Sequence, residues 1–256
     1  MSQLDIHQIP VLSDNYVYLA RDRASGQTAV VDPSVAPPVL EAAERLGWTI
    51  TVILNTHHHG DHVGGNLEIK AATGCTIVGP KPDRARIPGI DVEVEEGDEV
   101  AVGEAVAEVF FVPGHTSGHI AYWFRESAAL FCGDTLFALG CGRLFEGTPR
   151  QMWSSLSKLS KLPEDTRVFC AHEYTQSNAR FALSVEPENQ ALQDRSRAID
   201  SARAQNRPTV PSTLGEELAT NPFLRADQPG LAANVGLSGS DPLTVFTEVR
   251  RRKDSF

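Results

Sequence analysis

Four apolar runs in this chain end on the same kind of residue. "ITVIL" leads into "NTHHHGDH", "VFFVPG" into His115, "LFCG" into Asp134 and "VFCA" into His172. Short runs rich in β-branched and aromatic side chains read as buried strands. Strand ends that carry imidazoles and carboxylates can converge on one rim of a sheet, where a rigid scaffold collects polar groups from distant segments. "NYVYLA", "TAVVD", "CTIVGP" and "HIAYWF" add further strands of the same type, and "EEGDEV" carries a Gly-Asp turn expected between two antiparallel strands. Helices intervene. "APPVLEAAERLG" has apolar positions at helical spacing and stops at Gly47, while "PRQMWSSLSKLSKL" opens with a proline suited to a first helical turn. The expected class is α/β (α+β), with two sheet layers covered by helices.

After Tyr174 the pattern changes. "TQSNARFALSVEP", "ENQALQDRSRAIDSARAQN" and "SDPLTVFTEVRRRKD" have helical periodicity and no strand signal. Ser240 or Asp241 is placed to cap the last helix, ahead of Pro242. The expected organisation is a β-rich catalytic domain over residues 1–173 and a helical substrate-binding domain over 174–256.

Four of the eight histidines lie between His57 and His62. Crowded imidazoles repel when protonated and are costly to bury without partners, and a bound cation removes both problems. Along an extended loop His57 and His59 point one way and His58 the other, which makes His58 a supporting group. Asp61 and His62, past the flexible Gly60, can turn toward a second point. With His115, Asp134 and His172 the donors are too many for one zinc-like ion, which takes three or four protein groups. They suit two divalent ions bridged by a carboxylate. Zinc is the first choice, and the same donors accept iron or manganese.

"THHHGDH", "PGHTSGH", "CGDTLF" and "AHEYT", in that order, resemble the signatures of the metallo-β-lactamase superfamily. "GCGRLFEGT", "HEYT", "NPFLR" and "VRRRKD" resemble glyoxalase II, the hydroxyacylglutathione hydrolase family, and extend the likeness over nearly the whole chain. The resemblance implies an αββα sandwich followed by a small helical domain. It implies one metal on His57, His59 and His115, a second on Asp61, His62 and His172, and Asp134 bridging, with Asp61 and Asp134 counted as catalytic. It also implies the reaction, hydrolysis of S-D-lactoylglutathione to glutathione and D-lactate, the second step of methylglyoxal detoxification.

Glutathione carries two carboxylates, so an acidic protein must supply local cations. Arg143 lies in the loop after Asp134, and Arg250 and Lys253 lie three apart on the last expected helix, hence on one face. The resemblance places glutathione contacts at these three positions and at Tyr174. A solvated basic helix end that complements the helix dipole is the plainer account of that face. Phe145 stands where many relatives carry a tyrosine, a loss of one hydrogen bond costing about 0.5–1.5 kcal/mol of binding.

Other classes fit less well. A net charge of -10 argues against nucleic acid or an anionic membrane as partner. No run approaches the ~20 apolar residues of a membrane span, and "MSQLDIHQIP" lacks the features of a secretory signal. Cys75, Cys132, Cys141 and Cys170 form no CxxC pair and read as reduced, buried thiols. A cytoplasmic monomer acting on a small molecule is expected. A β-lactamase or lactonase would not need the helical domain, and a single-iron dioxygenase would not need both His62 and His172.

Overall fold

The computed structural model describes residues 2–256. They form two compact units, one running to Phe111 and resuming over Ser117–Gly133, the other comprising Val112–Thr116 and Asp134–Phe256.

In the first unit β1 (Leu4–Val11), β2 (Asn15–Asp22) and β3 (Gln27–Val31) pair antiparallel in turn, with Leu4 opposite Asp22 and Val11 opposite Asn15. β4 (Thr49–Leu54), β5 (Thr76–Pro80) and β6 (Val92–Val94) continue this sheet in parallel. Parallel neighbours need crossovers. The first is α1 (Pro37–Leu46), which stops at Gly47 in the left-handed region, as expected from the sequence. The second contains α2 (Gly60–Val63) and α3 (Asn66–Thr73).

Strand β2 is buried on both faces, so two layers must cover it. Val17 and Leu19 pack with Ile53 and Ile77 against Val39 and Ala43 of α1 and Ile69 of α3. Tyr18, one step along, faces the other way and meets Phe131 at 5.6 Å. Phe131 belongs to a second layer, the antiparallel meander β7 (Glu99–Val102), β8 (Ala105–Phe111), β9 (Ile120–Phe124) and β10 (Ala129–Gly133). Each fully buried Leu or Ile contributes about 1.5–3 kcal/mol, enough to fix the register of the strand that carries it.

One expected hairpin is absent. The Gly97–Asp98 turn does link β6 to β7, but β6 pairs with β5 and β7 with β8, so the turn passes between sheets. The turn is held locally, by Asp98 accepting from the Glu95 N–H, and that geometry does not require its flanks to pair.

The second unit contains β11 (Leu136–Phe137), β12 (Gly140–Cys141), α4 (Pro149–Leu159) and β13 (Arg167–Cys170). These are followed by α5 (Thr175–Val185), α6 (Gln190–Arg203), β14 (Ser212–Thr213), α7 (Leu214–Thr220), α8 (Pro229–Asn234) and α9 (Pro242–Asp254). The region after Tyr174 is thus not purely helical, since β14 pairs antiparallel with β13. Thr148 and Gln151 close a capping box at α4, and Asp241, rather than Ser240, caps α9. Leu139, Ala179, Ala182, Leu192 and Ile199 form one apolar cluster, and Trp153 of α4 packs on Phe246 of α9 at 5.7 Å. All four cysteines are buried and none forms a disulfide, as expected. No helix among the described residues is long and apolar enough to cross a membrane.

Candidate metal centre

β3 and β4 lie side by side and parallel, so their C-terminal ends emerge together. Asp32 leaves β3, and Asn55 to His59 leave β4. The Thr56 N–H donates to Asp32 Oδ1 at 2.8 Å and the Thr56 hydroxyl donates to Oδ2 at 2.7 Å. Nδ1 of His62 sits 3.1 Å from the same Oδ2. His57 is wholly buried, with its ring 4.7 Å from that of His59 and 4.0 Å from that of His62. His58 turns away from this cluster and places Nδ1 3.0 Å from Asp83.

These contacts set the tautomers. A carboxylate only accepts, so Nδ1 of His62 carries the proton and Nε2 presents its lone pair. The Thr56 hydroxyl has given its proton to Asp32, so at 3.0 Å it accepts from Nδ1 of His57, leaving Nε2 there as the lone-pair atom too. Yet Nε2 of His62 lies 3.6 Å from Asp61 Oδ2, itself held by Asn15 Nδ2 at 3.0 Å. Two acceptors therefore face each other.

The second unit repeats this arrangement. His115 sits on the short segment after β8, Asp134 directly after β10 and His172 just after β13. All three are buried. Nδ1 of His115 donates to the Arg143 carbonyl at 2.8 Å, so its Nε2 also presents a lone pair. That Nε2 lies 3.4 Å from Asp134 Oδ2, and Nε2 of His172 lies 3.4 Å from Oδ1. These separations exceed the ~2.7–2.9 Å of a charge-assisted hydrogen bond. One carboxylate thus offers each oxygen to a different imidazole. Buried acceptors side by side repel unless a cation lies between them, so the donor set fits a divalent metal. Gly142 makes the close packing feasible, because a Cβ there would fall 2.1 Å from the Asp134 carbonyl oxygen.

The expected substrate contacts also lie in this unit. Tyr174 stacks on His172, with rings 4.7 Å apart and 7° from parallel. Arg143 and Phe145 are exposed, and the Phe145 ring meets His115 edge-on at 5.2 Å. Arg250 and Lys253 share a face of α9 but differ in setting. Arg250 is 4% exposed, sits over the Phe223 ring at 4.9 Å and pairs with Asp254 at 2.7 Å. Lys253 is half-buried between the rings of Phe181 and Phe256. Burial, then Arg250, Arg180 and Arg143, push its ammonium down to about 8.

Sequence reasoning overlooked Asp32, Asn15 and Asp83. The first had a visible signal, an acid ending the apolar run "AVVD" as Asp134 ends "LFCG". Nδ1 of His119 sits 2.9 Å from the Ile120 carbonyl, and its ring stacks on His57 at 4.5 Å.

Comparison with known proteins fits this geometry. Residues 11–172 match the metallo-beta-lactamase superfamily and residues 173–256 match the hydroxyacylglutathione hydrolase C-terminus. A hydroxyacylglutathione hydrolase from Methylococcus capsulatus is 62% identical over 99% of both chains. Among solved structures, ETHE1 from Myxococcus xanthus aligns with a TM-score of 0.68 at 26% identity, covering 98% of this chain and 99% of that one. A protein crystallised in a di-iron-bound form aligns at 0.61 and 26% identity, covering 86% of this chain and all of the other. Two-domain matches of this extent mean that the chain belongs to the hydroxyacylglutathione hydrolase family of the metallo-β-lactamase superfamily.

Proposed function

We propose that the protein is a binuclear-metal thioester hydrolase that converts S-D-lactoylglutathione, and S-(2-hydroxyacyl)glutathiones generally, to glutathione and D-lactate. The observation that carries this reading is the Asp134 carboxylate, with one oxygen beside His115 and the other beside His172. A carboxylate so shared suits two ions. In this reading His57, His59 and His115 would hold one, Asp61, His62 and His172 would hold the other, and Asp134 would serve both. The relative solved with two irons supports the count, and zinc is the expected metal.

Divalent cations there would supply a water acidic enough to ionise near neutral pH and polarise the thioester carbonyl. The chain's own residues do the rest. Asp32, directly at His62 and through Thr56 at His57, keeps both rings protonated on Nδ1 so that Nε2 presents its lone pair, a service of the kind outer hydrogen-bond partners give to ligands. Tyr174 lies flat on His172 and remains 38% exposed, so it can meet a substrate that approaches the centre. Arg143, Arg250 and Lys253 supply positive charge for the glutathione carboxylates, and the departing thiolate needs no serine or cysteine nucleophile. The protein is further read as a cytoplasmic monomer without a nucleic-acid or membrane partner, in keeping with its charge of -10.

The test combines elemental analysis of the purified protein with turnover of S-lactoylglutathione and of a β-lactam. Two metals per chain and thioester turnover are expected. β-Lactam hydrolysis without thioesterase activity would reject the substrate, and a repeatable single metal in fully active protein would reject the binuclear site.

A further inference from the structure

Asp83 ends a short 3₁₀ turn after β5, and its carboxylate is wholly buried. A buried carboxylate requires charge-assisted partners. Arg86 places Nη2 2.5 Å from Oδ1, and the Nδ1–H of His58 donates to Oδ2 at 3.0 Å. The same Arg86 nitrogen donates to Ser117 Oγ at 3.2 Å. A Cβ on Gly118 would fall 2.2 Å from Oδ1, so that backbone rests directly on the carboxylate. Asp83 therefore grips two loops at once. One is the His57–His59 segment, through its middle residue. The other is the segment that leaves His115, through Ser117 and Gly118.

We propose that Asp83 is a positioning residue for the metal centre, ordering both loops before an ion arrives. The proposal rests on the ligand assignment above. His58 is tethered to Asp83, while the rings of its two neighbours, His57 and His59, meet each other at 4.7 Å. Without the tether the segment samples other backbone states, and ordering it opposes metal binding. An exposed Arg–Asp pair alone would contribute little. Here the acid is fully buried and the histidine it holds is 15% exposed, so the contact constrains the loop rather than decorating a surface.

The test is zinc affinity of the full-length, metal-stripped protein, measured by competition with a chromophoric chelator. Asp83→Ala should weaken zinc binding roughly ten- to a hundredfold, the range for residues that support metal ligands. Arg86→Gln removes the cation but keeps an amide donor within reach of the buried carboxylate, and should weaken it several-fold. At saturating zinc both variants should lose kcat while KM for the glutathione thioester stays unchanged. Should Asp83→Ala not fold, Arg86→Gln decides the matter. Zinc affinity in the folded variants within twofold of the parent protein overturns the proposal. Because affinity is read without substrate, failure of the thioesterase reading would show in the parent protein, which would bind zinc yet leave the thioester intact.

Discussion

The Arg250 guanidinium, on the last helix, donates a 3.0 Å hydrogen bond to the carbonyl oxygen of Cys141. Cys141 lies in the stretch between Asp134 and Arg143, so a residue expected to greet substrate also braces the loop beneath it. Arg250→Ala should therefore act twice. Leaving a buried carbonyl without its donor costs about 1–3 kcal/mol, visible as a lower urea midpoint, and the loosened loop should lower kcat as well as raise KM. Lys253→Ala should raise KM alone, and the double variant should raise it roughly ten- to a hundredfold. A normal urea midpoint for Arg250→Ala would show that the brace carries no weight.

Lys253 also gives a pH dependence with a definite sign. Burial and the neighbouring guanidinium groups lower its pKa from an ordinary 10.5 to about 8, against the weaker pull of Asp254. Above pH 8 the folded protein sheds a proton that the unfolded chain keeps until about 10.5, so this group's contribution to stability rises across that window and is flat below it. Carboxylate binding runs the other way, because it needs the cation. KM for the glutathione thioester should climb as pH passes 8, and this climb should vanish in Lys253→Met. Parallel pH profiles for the two proteins would remove Lys253 from substrate binding.

Phe145 is 63% exposed, so a hydroxyl added to its ring meets solvent rather than packed atoms. Phe145→Tyr should lower KM by roughly tenfold at most, the worth of one neutral hydrogen bond, with kcat preserved. A large fall in kcat would mean that the edge-on contact with His115 matters more than the missing hydroxyl.

Asp134→Ala removes the only group placed to serve both proposed ions. Metal content should fall below two per chain, and turnover should drop by several orders of magnitude, while the apolar clusters that hold the fold stay intact. The check is elemental analysis alongside kinetics and circular dichroism. Parent-like turnover would take Asp134 out of the chemistry.

Much of this was legible because strands such as "NYVYLA" and "ITVIL" announce themselves by composition, and their ends carry the histidines. β14 was not legible, since two residues are too few to show alternation. The Gly97–Asp98 turn misled because its residues specify a local bend and say nothing about which sheet each flank joins. Asp32 escaped for a related reason. Its role arises only when β3 and β4 lie parallel and bring it to His62, thirty positions later. The shared face of Arg250 and Lys253 followed from helical spacing, but their unequal burial depends on what packs against that helix.

The sealed thiols have a chemical corollary. Glutathione released by the reaction is itself a thiol, and in its oxidised form it exchanges with protein cysteines through their thiolates. Burial pushes Cys170 up to about 12 and Cys141 up to about 11, the latter despite the nearby Arg250 cation. At neutral pH roughly one Cys141 in ten thousand is then ionised, and fewer at Cys170. Cys75 and Cys132 are 3% and 0% exposed. Burial and weak ionisation therefore disfavour mixed-disulfide formation between Cys141 or Cys170 and the oxidised form of the glutathione that the reaction releases.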